Sequence, residues 1–125
     1  MRRSIALVLA ALTLAACGKP SAEAKAVDAI RSNTLAGWPY SDAQTVEQMK
    51  DMCRSLDHHS VAELLDTFAG QWSGSPSNSK TEHDYGILIR YSIEGVCPRH
   101  LPLIRQSDYR GHPGWEGVYY GDERS

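Results

Sequence analysis

The densest cluster of side chains that could do chemistry is Asp57-His58-His59-Ser60. Cys53 precedes it by one helical turn, and His83-Asp84 lies further along the chain. A hydrolase or a metal site could use such groups, but a nucleophile needs a positioned base and an orienting group, which this spacing does not supply. The chain contains neither G-x-S-x-G nor H-E-x-x-H. We therefore predict no catalytic residue. We interpret the cluster as a helix end, where His favours the negative dipole, followed by an N-cap serine.

Cys17 is the second residue whose position indicates chemistry. It follows Leu14-Ala15-Ala16 at the end of an apolar stretch that begins soon after Arg2-Arg3. A basic segment, a short apolar segment and small residues before a cleavage site are typical of an export signal. The cysteine directly after the small residues resembles the lipobox of bacterial lipoprotein precursors. We predict that residues 1–16 are a lipoprotein signal peptide and that the Cys17 thiol is acylated, for example with palmitate.

A transmembrane helix and an ordinary secretory signal are the two alternatives to a lipoprotein signal. The apolar stretch 5–16 is shorter than the roughly 20 residues that cross a bilayer, which argues against a transmembrane helix. An ordinary secretory signal cleaved after Ala16 is the closer alternative. Two or three acyl chains on Cys17 would anchor the protein to the cell membrane or outer membrane, with the domain on the outer or periplasmic side. Gly18, rather than Asp, after the cysteine favours the outer membrane in a two-membrane bacterium.

Cys53 and Cys97 remain as a single pair once Cys17 is assigned to lipid. Export places them in an oxidising compartment, which favours a disulfide. Neither belongs to a C-x-x-C motif of the kind that zinc sites use, so we predict no metal site. The alternative is a metal site that combines both cysteines with some of four histidines, namely His58, His59, His83 and His100.

Charge and length limit the class of protein. The formal net charge of the 125-residue chain is −2, and loss of Arg2 and Arg3 with the leader, which contains no acidic residue, lowers it to −4. Nucleic-acid binding is not expected, because no cluster of Lys and Arg is left to neutralise phosphates. Residues 17–125 suffice for one small domain with flexible ends. No cofactor motif is present, and we expect no cofactor.

Three stretches have the apolar spacing of amphipathic helices. The first runs from Ser41 or Asp42 to Asp57, the second from Ser60 to a stop at Gly70, and the third from near Thr81 to Pro98. Ser41 with Gln44 and Ser60 with Glu63 have capping-box spacing. Cys53 and Cys97 lie on the apolar stripes of the first and third stretches. The sequence therefore predicts an all-α fold, a small three-helix bundle over residues 41–104 that one disulfide links.

The flanking segments lack such a pattern. Residues 17–40 are predicted to be a flexible tether and entry segment, because Val27 and Ile30 alone cannot bury a helix face. We expect Trp38, Pro39, Tyr40 and Trp72 to cap the ends of the bundle; otherwise they form an exposed patch of a binding surface. Leu101, Leu103 and Ile104 are expected to cover one bundle end.

The C-terminal segment, residues 105–125, is rich in glycine and is predicted to be a flexible tail. It nevertheless contains several large aromatic residues. Rings give a binding segment contact area at low entropic cost, so we hypothesise that the tail docks on a partner. The alternative is that these rings fold back onto the apolar end of the bundle. The residues of this candidate partner surface are Trp115, Tyr119 and Tyr120, with Tyr109 preceding them.

A family resemblance rests on three short segments, Met52-Cys53-Arg54-Ser55-Leu56, Ser60-Val61-Ala62-Glu63-Leu64-Leu65, and Arg90-Tyr91-Ser92 leading to Val96-Cys97-Pro98-Arg99-His100. They are similar to the small exported actinobacterial proteins grouped as domain of unknown function 732. The match covers roughly residues 40–104. The chain departs from the family because it lacks the glycine-rich segment before the first helix and carries the aromatic tail. The resemblance implies a helical fold, the disulfide and an actinobacterial or actinobacteriophage source, but no activity.

These observations favour a non-enzymatic, lipid-anchored envelope protein whose small helical domain binds another envelope protein or cell-wall component. The first alternative is a phage- or prophage-encoded envelope lipoprotein, such as an exclusion or lysis accessory, which flanking phage genes would indicate. The second alternative is a small envelope hydrolase or metal-binding protein. A deep pocket that joins His58, His59 and Asp84 would support it.

Overall fold

Six α-helices and a short 3-10 helix form the part of the chain that the computed structural model describes, residues 20–71 and 78–122. No strand occurs in these two ranges. The predicted signal peptide, Cys17 and Trp72 lie outside them. The helices are α1 (Ala22–Asn33), α2 (Asp42–Leu56), α3 (Val61–Gln71), α4 (Asn78–Gly95), the 3-10 helix (Pro98–His100), α5 (Leu101–Arg105) and α6 (Trp115–Tyr120).

The predicted all-α fold with its disulfide is confirmed. Helix α2 begins with the capping box of Ser41 and Gln44, and the Ser60 hydroxyl accepts a hydrogen bond from the Glu63 amide at the start of α3. Cys53 on α2 and Cys97 just after α4 form the disulfide, with their Cα atoms 6.0 Å apart. Both cysteines are buried in the core. None of the described helices is long and apolar enough to cross a membrane.

Helix α4 is the central element and contacts each of the other five α-helices. This position explains why it is buried on several faces rather than along one stripe, with Ile87, Leu88 and Ile89 all in the core. Helix α1 runs antiparallel to it, because the Asp84 carboxylate binds amides just after α1 and Gly95 packs against Ala22 and Ala26 in the first turns of α1.

The bundle therefore has two distinct ends. We call one the disulfide end; it contains the N-terminus of α1, the C-termini of α2 and α4, the 3-10 helix and α5. The opposite end, which we call the aromatic end, contains the α1–α2 connection and the first half of α4. The lengths of the helices set the distance between them: 18 residues of α4 rise about 27 Å.

The prediction that residues 17–40 form a flexible tether is wrong from Ala22 onward, where α1 begins. Ser21 caps α1, and Ala26, Val27 and Ile30 are each no more than 4% exposed. Two large apolar side chains are enough to hold α1 on the bundle because α1 approaches α4 closely. A Cβ built on Gly95 would lie 2.5 Å from the Ala26 Cβ. Small residues on both helices thus let the backbones make the contact that large side chains make elsewhere.

The prediction that residues 105–125 form a flexible tail is also wrong for the residues up to Asp122. Helix α6 of this segment packs against α4 with backbone contact, since a Cβ on Gly86 would lie 2.3 Å from the Gly114 carbonyl oxygen and one on Gly117 would lie 2.4 Å from the His83 oxygen. Only glycine permits these approaches. Arg90 on α4 then donates to the carbonyls of Val118 and Tyr119, at 2.9 and 2.8 Å, which satisfies the open end of α6.

Several predicted boundaries also shift. Helix α3 continues through Gly70 to Gln71, so Gly70 is not its stop, and α4 begins at Asn78 rather than near Thr81. It ends at Gly95, before Pro98. Of the three residues expected to cover the bundle end, Ile104 is buried and Leu103 half-buried, whereas Leu101 is 44% exposed. Pro98 begins the 3-10 helix and Pro102 is the second residue of α5, because proline suits the first helical turn.

Candidate functional site

A groove at the aromatic end is the best candidate for a binding site. Its volume is about 290 Å³. Two aromatic pairs line it: Trp38 packs edge-on against Tyr40 with ring centroids 5.1 Å apart, and Phe68 stacks on Tyr85 at 4.1 Å. Tyr40 is 41% exposed, so the groove is open to solvent on that side. The remaining lining residues include Pro39, Gln48, Thr81 and Leu88.

The wall formed by Trp38 is held in place from α2. The Trp38 indole N–H donates to the Thr45 hydroxyl oxygen at 2.8 Å, and that hydroxyl donates to the Ser41 carbonyl at 2.8 Å. Thr45 is fully buried, and these two bonds satisfy its hydroxyl group. The prediction that Trp38 and Tyr40 cap a bundle end agrees with this placement, but the same rings also border an open groove.

The floor of the groove contains a buried carboxylate with a structural role. Asp84 accepts from the Leu35 amide at 2.6 Å and from the Ala36 amide at 2.9 Å. These bonds fix the chain just after α1 and so position Trp38. This carboxylate therefore caps a segment of the chain outside its own helix. No local sequence pattern predicts these contacts, because the bonded residues lie 49 and 48 positions apart in the chain.

His83 connects this carboxylate to the C-terminal segment. It is 2% exposed, and its Nδ1 lies 3.3 Å from Asp84 Oδ1 while its Nε2 lies 2.7 Å from the Asp122 carbonyl oxygen. Burial by itself lowers the pKa of His83. The hydrogen bonds to Asp84 and Asp122 outweigh burial and raise the pKa above its ordinary value. The protonated ring, which donates from both nitrogens, is therefore the form that the fold stabilises.

This arrangement predicts a pH-dependent stability. Because the folded pKa of His83 is raised, its contribution is present below the unfolded pKa of about 6.5 and is lost as pH rises through the folded pKa. We expect the free energy of unfolding to fall as the pH rises above about 6.5, as urea denaturation at several pH values would show. His83→Gln should flatten this slope and exposed His58→Gln should not. An unchanged slope in His83→Gln would contradict the assignment.

The Asp57-His58-His59 cluster lies at the disulfide end, where Asp57 and His59 make surface contacts with charged side chains. The Asp57 carboxylate accepts from Arg99 Nη2 at 2.8 and 3.1 Å and lies 2.7 Å from His100 Nε2. The hydrogen bonds from Arg99 and then His100 lower the pKa of Asp57. His59 lies 3.4 Å from Glu63. This cluster thus joins the same two segments as the nearby disulfide.

The structure does not bring the predicted chemical groups together. His58 and His59 follow α2 at one end of the bundle, whereas His83 and Asp84 lie near the other end. Within residues 20–71 and 78–122, no group of three or more His, Cys, Asp or Glu side chains is arranged to hold a metal ion. The arrangement therefore offers hydrogen bonds and ion pairs that stabilise the fold, and an aromatic groove that could bind an apolar group.

The tail residues form a second aromatic cluster. Trp115, Tyr119 and Tyr120 lie with ring centroids 5.0–5.9 Å apart, and the Arg110 guanidinium lies 4.3 Å from the Tyr119 ring centroid. Tyr120 is 38% exposed, while Trp115 and Tyr119 are half-buried. These rings pack largely on the chain itself, as the alternative to a docking tail predicts, and Tyr120 presents the most open ring.

The sequence predicted the place of two groove residues, Trp38 and Tyr40, at an end of the bundle. Phe68 and Tyr85 belong to the second and third stretches with helical apolar spacing, and no sequence pattern distinguishes them or Gln48 as groove residues. Their joint position depends on α3 and α4 meeting, which helical spacing alone does not specify.

Comparison of the chain with protein-family models, with curated proteins and with solved structures gives no match. No enzyme family or enzyme fold is identified by these comparisons. The resemblance to domain of unknown function 732 stays a prediction.

Proposed function

We propose that this protein is a lipid-anchored envelope protein, acylated at Cys17, whose helical domain binds an apolar segment of another envelope protein in the aromatic groove. No catalysis is part of this proposal. The observation that carries it is the position of the groove, at the end of the bundle opposite the N-terminus of α1. An anchor that precedes α1 therefore favours presenting the groove away from the membrane.

The length of chain before α1 supports this orientation. Only Gly18, Lys19 and Pro20 lie between Cys17 and the N-cap Ser21. Four Cα–Cα steps reach at most about 15 Å, whereas the helical bundle is about 27 Å long. The domain therefore stays close to its anchor, with the disulfide end nearer to it.

The chemistry of the groove favours a peptide side chain over a sugar. Its lining is mainly aromatic and aliphatic, and two of its strongest polar groups are already used inside the protein: the Trp38 N–H by Thr45 and the Asp84 carboxylate by the amides of Leu35 and Ala36. A sugar would need hydrogen-bond partners for several hydroxyls. Aromatic and aliphatic side chains need chiefly contact area, and rigid rings supply it.

The anchor can be tested by changing the acylated thiol. Cys17→Ala should remove the acyl mass from the purified protein and shift it from the detergent-extracted membrane fraction to the soluble fraction of the cells. Mass spectrometry of the N-terminal peptide and fractionation measure the two effects. Wild-type protein that carries no acyl mass and is released into the medium would contradict the lipoprotein assignment.

The groove can be tested separately in intact cells by placing a photo-crosslinking phenylalanine analogue at position 40. We expect one dominant crosslinked protein, identified by mass spectrometry, and its loss when Tyr85→Ala is added. Matched probes at positions 101 and 120 report the exposed Leu101 at the disulfide end and Tyr120 of the tail cluster. Capture of the same protein from position 120 alone would favour the tail as the partner surface, and a crosslink to a second copy of the chain would overturn the heterologous partner.

A further inference from the structure

The disulfide end carries an exposed basic and apolar edge beside the start of α1. We call it the α5 edge, and define it by the exposed residues Lys25, Leu101, Pro102 and Arg105. Glu94 of α4 joins its two halves, since one surface depression is lined by Ala22, Lys25 and Glu94 and another by Glu94, Leu101 and Arg105. At 44% exposure, Leu101 is one of the three most exposed large apolar residues in the described ranges.

The cations of this edge differ from the other basic residues nearby. Arg99 is paired with Asp57 and Arg90 with Glu94. In the described part of the chain, no carboxylate lies within ion-pair distance of Lys25 or Arg105. The chain is net acidic, so two unneutralised cations around an exposed leucine form a local exception to its surface charge.

The length of chain before α1 indicates what this edge meets. Cys17 lies within about 15 Å of Ser21, because three residues separate them. Membranes of bacteria expose anionic head groups, which attract Lys and Arg close to the surface. We propose that the α5 edge rests on the anionic lipid surface that holds the protein, with Lys25 and Arg105 at the phosphates and Leu101 at the interface. This inference rests on Cys17 as the point of attachment.

Contact between the α5 edge and the lipid gives the flexibly attached domain a preferred orientation. Each cation near an anionic membrane strengthens attraction by about fivefold, which is weak for a free protein. An attached domain is already at the surface and has no further entropic cost of capture, so such weak contacts are enough to bias its tilt. The groove at the aromatic end is then directed away from the lipid.

The test attaches the mature chain, residues 17–125, to vesicles through Cys17 by a maleimide lipid, which does not require acylation in cells. Cys53 and Cys97 are not modified because they form the disulfide. Vesicles contain phosphatidylcholine alone or an equal mixture with phosphatidylglycerol, plus a nitroxide-labelled lipid that broadens nearby amide NMR signals. With phosphatidylglycerol, we expect broadening at residues 22–25 and 99–105 to exceed that at residues 36–40 by at least about threefold.

Two variants make the test specific. Arg105→Glu and Leu101→Ser should each reduce the broadening at the α5 edge, whereas Tyr40→Ser, an exposed ring at the aromatic end, should not. Equal broadening at both ends, or identical profiles with and without phosphatidylglycerol, would overturn the orientation. Because attachment is chemical, that failure leaves the acylation of Cys17 and the groove crosslink untouched, and their failure leaves this result untouched.

Discussion

Replacing Cys53 and Cys97 together by serine is expected to lower the free energy of unfolding by about 4 kcal/mol. The two residues lie 44 positions apart, so the bridge removes a large part of the loop entropy of the unfolded chain. For a domain of this size, the loss corresponds to a fall in melting temperature of roughly 15–30 °C. Circular dichroism during heating, with and without reductant, measures this effect.

The control for this prediction is Cys17→Ser, which removes a thiol without touching the bridge. It should melt like the wild-type mature chain. Non-reducing peptide mapping should join the peptides of Cys53 and Cys97. Free thiols at both positions in protein purified from the envelope, or equal melting of the oxidised and reduced chains, would contradict a structural disulfide.

Tyr109→Ala is expected to have an effect of similar size, about 3–5 kcal/mol, because it removes a large ring from the core. Tyr109 is 0% exposed, and its hydroxyl donates a hydrogen bond to the Ile104 carbonyl oxygen. Burial raises the pKa of this hydroxyl to about 12. Tyr109→Phe keeps the ring and should cost only about 1 kcal/mol, the net value of one hydrogen bond. Urea denaturation of the variants measures both losses.

The matched comparison is Tyr120→Ala, which changes the same residue type at a position that is 38% exposed. It should alter stability by no more than about 0.5 kcal/mol. Truncation after Ser107 should be at least as damaging as Tyr109→Ala, since it also removes Val118, which is 0% exposed. A truncated chain that melts like the full chain would show that the tail does not pack on the bundle, and would restore the hypothesis of a tail free to dock on a partner.

The proposed function and the proposed orientation divide the domain into two working ends. In these proposals the disulfide end lies nearer to the attachment at Cys17, and there Cys53–Cys97 and the Asp57–Arg99 pair join the same elements. The aromatic end is set by Asp84 and Thr45, which fix the connection that carries Trp38. Tyr40 and Leu101 are exposed, so we expect substitutions at these two positions to change either surface with little effect on folding.

The sequence by itself determined the parts of the protein that local rules specify. Capping-box spacing placed the starts of α2 and α3, because Ser41 and Ser60 satisfy amides only three residues away. Helical periodicity placed both cysteines on apolar stripes, and the cysteine count paired them.

Tertiary structure alone decided the rest. The sequence predicts a tether at helix α1 because two large apolar residues are too few to bury the face of an isolated helix, yet Gly95 of α4 lets α1 pack directly against α4. The tail was predicted to be flexible because its glycines interrupt any apolar period, yet Gly114 and Gly117 are what allow α6 to touch α4. Glycine destabilises an isolated helix but allows two backbones to come into contact. Which of these two effects dominates depends on the partner helix, which local sequence does not identify. The groove has the same origin, because Trp38 and Phe68 belong to segments that meet only in the folded chain.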